Sequence, residues 1–148
     1  MTVKKKIFIG VAVLALAAGL YGYKEYNRRN KDLANVRADM KMNSADLINA
    51  FKKNETEANK NFLDKVIQVE GTVKEVIKDE KGYYTLVLGK DDEMSSVRCS
   101  MDTVHQQESG SVSKGNGISL KGICTGFNAD ELLGSDVILN RCVINTKK

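Results

Sequence analysis

A chain of 148 residues, 42% hydrophobic and 28% charged, holds material for one globular domain with a real core and little more. It has no Trp, no Pro and a single His, which removes most stacking platforms, imidazole ligands and catalytic bases from consideration. The formal charge of +4 is unevenly spread: residues 1–43 carry nine basic and three acidic side chains, a net of +6, and the rest carry 14 basic and 16 acidic, a net of −2. Cationic character therefore belongs to the N-terminal segment, and the domain lacks the concentrated basic patch that phosphate neutralisation demands.

Lys4, Lys5 and Lys6 precede an uncharged run from Ile7 to Tyr23, roughly 26 Å of helix and just enough to cross a bilayer. A cleaved secretory signal shares the basic start and apolar centre, and Ala15 and Ala17 stand in its A-x-A spacing. The run continues past Ala18, however, and Tyr21, Tyr23 and Tyr26 sit as an interfacial aromatic belt does, which favours an uncleaved transmembrane signal-anchor over residues 7–23. No Cys lies near residues 15–25, so acylation at a lipobox-type cysteine is excluded. Residues 1–6 then form a basic tail and residues 24–43 a basic stem, whose Lys24, Arg28, Arg29 and Lys31 nearly balance the three lysines before the span. A short basic tail that stays inside sets the domain on the extracytoplasmic side, periplasmic or cell-surface.

From Ser44 to Phe62 the apolar residues Leu47, Ile48, Phe51, Ala58 and Phe62 share one stripe, with Lys52, Lys53, Glu57 and Lys60 on the wet side. One amphipathic helix over residues 44–62, capped by Asn43 or Ser44, is expected to pack on its own domain. After Lys65 the period changes to two. Ile67, Val69 and Val73 alternate inward with Gly71 interrupting; Tyr84, Leu86 and Leu88 follow, then Val97, Cys99 and Met101. Residues 102–117 lose the pattern and read as a loop or short helix. Ile118, Leu120 and Cys124 make a fourth inward set, and Ile138, Cys142 and Ile144 a fifth.

Five strands, a glycine-interrupted first strand and a hairpin between the fourth and fifth fit a small Greek-key barrel of the OB type, with an SH3-like barrel or an open antiparallel sheet as alternatives. The ordered pieces S-A-D-L, N-E-x-x-A-N-K-N-F, K-V-I-Q-V-E-G-T-V, V-R-C, L-K-G-I-C-T-G and V-I-L-N-R-C-V-I, behind a basic and apolar N-terminus, resemble the tRNA-anticodon-like OB family, tRNA_anti-like. The resemblance covers about residues 43–146. It implies a mainly β protein with an OB domain at residues 44–146, of a kind found as small membrane-anchored or exported bacterial proteins. It does not imply tRNA binding, because fold does not fix function.

OB readers hold strands on the outward face of their second and third strands. Here that face offers Tyr83, Thr85 and Arg98 as the candidate ligand contacts, a sparse set beside the acidic Asp91, Asp92 and Glu93. The triplet lacks the frame of a calcium loop and reads as a solvated turn. His105 has no positioned partner visible in sequence and reads as a loop residue. No catalytic residue, metal site or cofactor is expected, and the function expected is a non-enzymatic, membrane-tethered binding module for an envelope protein or glycan, with a nucleic-acid-binding OB protein as the alternative. The three cysteines lack zinc spacing and any C-x-x-C pair. Pairing Cys124 with Cys142 would centre the last hairpin on residue 133, so a disulfide staple between them, another pairing with Cys99, and buried free thiols all remain open.

Overall fold

The structure, a computed structural model, describes residues 3–26, 32–130 and 132–145. It forms two compact units divided after Lys31. The first is a single helix, α1, Val3–Tyr26. Its described side chains are open to solvent, Leu14, Leu20, Tyr21 and Tyr23 each about 70% exposed. Among the described residues no helix is long and apolar enough to cross a membrane. Residues 1 and 2 of the expected tail, and Arg28, Arg29 and Lys31 of the expected stem, lie outside the described residues.

The second unit is built on β2 (Val66–Lys78), β3 (Tyr84–Leu88), β4 (Ser96–Met101), β5 (Gly117–Asn128) and β6 (Asp136–Ile144). β2 has 13 residues and so serves two neighbours within the barrel. Val66–Thr72 pairs antiparallel with β5, and Val73–Lys78 with β3, with a bulge between Val73 and Glu75. β3 pairs with β4, β4 runs parallel to β6, and β6 returns antiparallel to β5, which closes the barrel on itself. Closure leaves the five strands without a free edge, as a Greek-key barrel of the OB type requires.

The inward set follows the two-residue period: Ile67, Val69, Val73, Leu86, Leu88, Val97, Cys99, Leu120 and Cys124 are at most 1% exposed. β6 departs from it. Val137, Leu139 and Cys142 face inward, whereas Ile138, expected inside, is only half-buried on the outer side. Arg141 takes a left-handed backbone, φ 56°, and the ladder with β4 slips between Cys99 and Met101, so the bulge switches the strand's parity just before Cys142.

Two further elements lie inside the segment expected to be a stem. Leu33 anchors a 3-10 turn, Leu33–Asn35, and is 3% exposed. A short strand, β1 (Met40–Asn43), then pairs parallel to Ile67–Glu70 of β2. The fold thus begins at Asp32 rather than Ser44.

The single helix expected over residues 44–62 is two: α2, Ser44–Lys53, and α3, Glu55–Phe62. Asn54 breaks it with an extended backbone, φ −159°, and its side chain accepts the Glu57 N–H at 3.1 Å. Asparagine at the N-cap followed by glutamate three residues on is a capping arrangement that restarts a helix in a new direction. The break lets Leu47, Ile48 and Phe51 on α2 and Ala58 and Phe62 on α3 join one core. Phe51 stacks on Phe127 of β5 at 5.0 Å and meets Phe62 at 5.7 Å.

Candidate functional site

The outer face of β3 and β4 is the first place to look, and its residues are held by their own fold. Thr85 stands opposite Ser100, and Val87 opposite Arg98. Val87 is 3% exposed although it points outward. Arg98 does not offer a free cation: its Nε donates to Asp136 Oδ2 at 2.6 Å, while Ser96 Oγ donates to Asp136 Oδ1 at 2.5 Å. Parallel pairing of β4 with β6 puts Ser96 directly beside Asp136, so the carboxylate receives Ser96 on its own rung and Arg98, two residues on along the same face of β4. Tyr83 precedes β3 and is 45% exposed, fixed by its backbone N–H on Asp79 Oδ1 at 2.8 Å. The three candidate contacts share one side of the barrel but form no basic groove.

The acidic loop is likewise engaged. Lys114 Nζ meets Asp91 at 3.0 Å, Lys90 Nζ meets Glu93 at 2.9 Å, and Lys74 Nζ donates to the Glu93 carbonyl. Among the described residues no group of three or more His, Cys, Asp and Glu side chains is placed to hold a metal ion.

His105 has the partner that the sequence could not reveal. Its Nε2 lies 2.9 Å from Asp32 Oδ1, and its Nδ1 lies 3.6 Å from Glu108. Beside it Lys121, 9% exposed, donates to the carbonyls of Ala34 at 2.9 Å and Val36 at 3.1 Å. The Asp32 carboxyl is held below the usual range, first by the Ala34 N–H, with His105 and Lys121 adding to it. These contacts fasten residues 32–36 to the barrel; they supply no nucleophile.

All three cysteines are buried thiols. Cys124 faces Leu139, not Cys142, because the β5–β6 ladder is centred one to two residues earlier than an even hairpin about residue 133 would be. Cys142 instead packs beside Gly122, where a Cβ would lie 2.5 Å from its Sγ, and against Cys99. Burial pushes the Cys142 thiol well above its usual range, with Cys99 adding to it, and burial raises Cys124 too. Low reactivity follows from that environment.

Of the surface concavities, one of about 550 Å³ runs past the start of α2, the middle of β2, the end of β3 and the start of β5. Its lining includes Ser44, Glu70, Thr72, Lys90 and Ile118 together with Gly71, Gly89 and Gly117. Sequence reasoning saw Gly71 only as a strand irregularity. The recurrence of glycine at the end of β3 and the start of β5 was the available signal. A second concavity, about 660 Å³, lies between Lys74–Val76 and residues 112–114 and is lined mainly by charged and polar groups.

The sequence profile of the tRNA_anti-like family matches residues 1–143. No curated protein matches the chain. Among solved structures, one from Klebsiella pneumoniae named a "putative nucleic acid-binding lipoprotein" is similar over 78% of this chain and 98% of its own, with 14% identity and a TM-score of 0.57. That likeness supports the barrel fold. The aspartyl-tRNA synthetase of Entamoeba histolytica aligns over 82% of this chain and 24% of its own, with 11% identity and a TM-score of 0.45. The asparaginyl-tRNA synthetase of Pyrococcus horikoshii aligns over 57% and 20%, with 13% identity and a TM-score of 0.38. The chain spans a quarter or less of either enzyme.

Proposed function

The chain belongs to the tRNA_anti-like family, and on that premise we propose that it is a non-enzymatic OB-fold binding module of the bacterial envelope. Residues 7–23 tether it to the membrane, and the barrel stands on the extracytoplasmic side, where it takes a protein or glycan ligand. The observation that carries the reading is Arg98. It is the one arginine on the outward face of β3 and β4, and the Asp136 carboxylate, which Ser96 also holds, pairs with the charge that a phosphate would need. The tether is supported by the three lysines ahead of the apolar run and by the apolar character of α1, with Val13, Leu14, Leu16 and Leu20 exposed. The Klebsiella neighbour is named a lipoprotein, which supports an envelope address.

The same name favours a second reading, nucleic-acid binding, with Tyr83, Thr85 and Arg98 as the contacts. Titration of the full-length chain in detergent with single-stranded DNA and RNA at two salt concentrations separates the two. The envelope reading expects nothing tighter than the nonspecific range, about 10⁻⁴ to 10⁻⁶ M at physiological salt. Submicromolar, salt-sensitive binding that Arg98→Ala weakens would overturn it. Accessibility of the domain to a protease added outside intact cells tests the address, and protection there would refute it.

A further inference from the structure

We propose that His105 is a pH-dependent clasp, which tightens residues 32–36 onto the barrel in mildly acidic surroundings and slackens toward neutral pH. The clasp goes beyond the envelope reading; only its use, to bias the length of the tether, rests on that reading.

The geometry is that of an imidazole between two carboxylates. Its Nε2 lies 2.9 Å from Asp32 Oδ1, on the incoming chain, and its Nδ1 lies 3.6 Å from Glu108 Oε1, on the short helix Gln106–Ser109. A neutral imidazole has one N–H and serves one of the two. The imidazolium donates from both nitrogens and answers both charges.

The other charged groups around the ring leave that preference in place. Lys121 of β5 lines the same cavity of about 160 Å³ and opposes an imidazolium, but its ammonium is turned to the Ala34 and Val36 carbonyls. Val143 and Ile144 of β6, in the same cavity, carry no charge. Just past β4, the Asp102 carbonyl accepts the His105 N–H at 3.0 Å, and the Asp102 carboxylate lies 3.6 Å from Arg141 Nε. An imidazolium at residue 105 thus meets two carboxylates and one ammonium at close quarters, and its net interaction is attractive.

As pH falls through the range in which imidazoles gain a proton, about pH 7.5 to 5.5, the contact tightens. The Asp32 carboxyl, held below its usual range first by the Ala34 N–H and also by His105, keeps its charge through that window. The clasp slackens again only below about pH 4, where carboxylates are protonated. Leu33 and Lys121 hold the same segment, and the Asp32 and Glu108 side chains are 43% and 46% exposed, so His105 tunes the docking by about two- to fivefold rather than deciding it. Opening frees residues 32–38, seven residues ahead of the Asp39 N–H bond to Val66, and adds up to about 24 Å of chain between α1 and the barrel.

Amide hydrogen exchange of the ¹⁵N-labelled full-length chain in detergent micelles, corrected for the intrinsic pH dependence of exchange, reads this opening through the N–H groups of Ala34, Asn35 and Val36, which bond to Asp32 and Leu33. Their protection should rise about two- to fivefold from about pH 7.5 to 5.5 while the amides of β3 stay constant, and should fall again below about pH 4. His105→Gln keeps a neutral donor for Asp32 and should flatten the rise; Glu108→Gln should roughly halve it. A flat profile in the parent chain, a rise shared by β3, or a rise undiminished in either variant would overturn the clasp, and Glu108→Gln decides the matter alone where His105→Gln fails to fold. A domain shown to be protected inside the cell would overturn the envelope reading alone, since this readout lies within the barrel unit.

Discussion

The Gly122→Ala substitution puts the barrel's tightest sulfur contact to the test. A Cβ at residue 122 would lie 2.5 Å from Cys142 Sγ and 3.1 Å from Leu139 Cβ. Both neighbours are fully buried, so the sulfur has only Cys99 and the closed core to move into. Overpacking of this kind costs about 1–3 kcal/mol, and the shorter contact argues for the upper half of that range. Cys142→Ala alone removes one buried sulfur and should cost about 1 kcal/mol. In the double variant the sulfur that clashes is gone, so only the Leu139 contact remains and the combined loss should fall short of the sum by about 1 kcal/mol or more. Urea unfolding of the full-length chain in mild detergent, followed by far-UV circular dichroism, gives the four midpoints of the cycle. Additive losses would refute the packing reading of this motif.

The remaining predictions concern thiols, caps and charges. Non-reducing mass analysis of the full-length chain should find no link between the peptides carrying Cys124 and Cys142, since Cys124 is paired with Leu139; recovery of that link would contradict the register. Because burial raises the Cys142 and Cys124 thiols, the folded state holds its protons more tightly than the unfolded one, so stability is fully present below about pH 8.5 and falls as pH rises beyond it. Alkaline melts should show that loss, and Cys142→Ala should flatten it. Asn54→Ala should cost about 1 kcal/mol in chemical denaturation through the lost cap on α3. Lys121→Met leaves the Ala34 and Val36 carbonyls without their donor, so trypsin should cut at Arg37 faster than in the parent chain while the barrel stays intact.

Strand identity was legible in the sequence because β2 to β5 turn one face into the core and the other away from it, and alternation is the direct record of that. β6 was misread in phase, not in existence. Its bulge at Arg141 adds one residue to the strand, and a left-handed arginine carries no local signature as a glycine would. An even hairpin centred on residue 133 misplaced Cys142 because the ladder is centred near residue 132 from its first pairs, Asn128 with Asp136 and Phe127 with Val137. Asn54 was hidden for a different reason. The apolar stripe continues across it because both helices face one core, so periodicity alone could not reveal the break, whereas Asn54 and Glu57 together could. β1 and Leu33 were missed because four residues of strand and one anchored leucine are too short to build a period.

The K-G-x-C-x-G stretch that drew attention to the thiols now divides by role, and the division bears on where a ligand belongs. Lys121 reaches back to residues 34 and 36, Gly122 yields space to Cys142, and Cys124 fills the core opposite Leu139. Each residue is spent on joining β5 to its neighbours, and none projects a reactive group into solvent. Arg98 and Asp136 likewise satisfy each other on the outer face. Among the described residues the buried side-chain polar atom without a hydrogen-bond partner is Ser109 Oγ, at the end of the short helix Gln106–Ser109. Binding capacity in this domain is therefore to be sought away from the K-G-x-C-x-G stretch and the Arg98–Asp136 pair, whose polar groups the fold itself consumes.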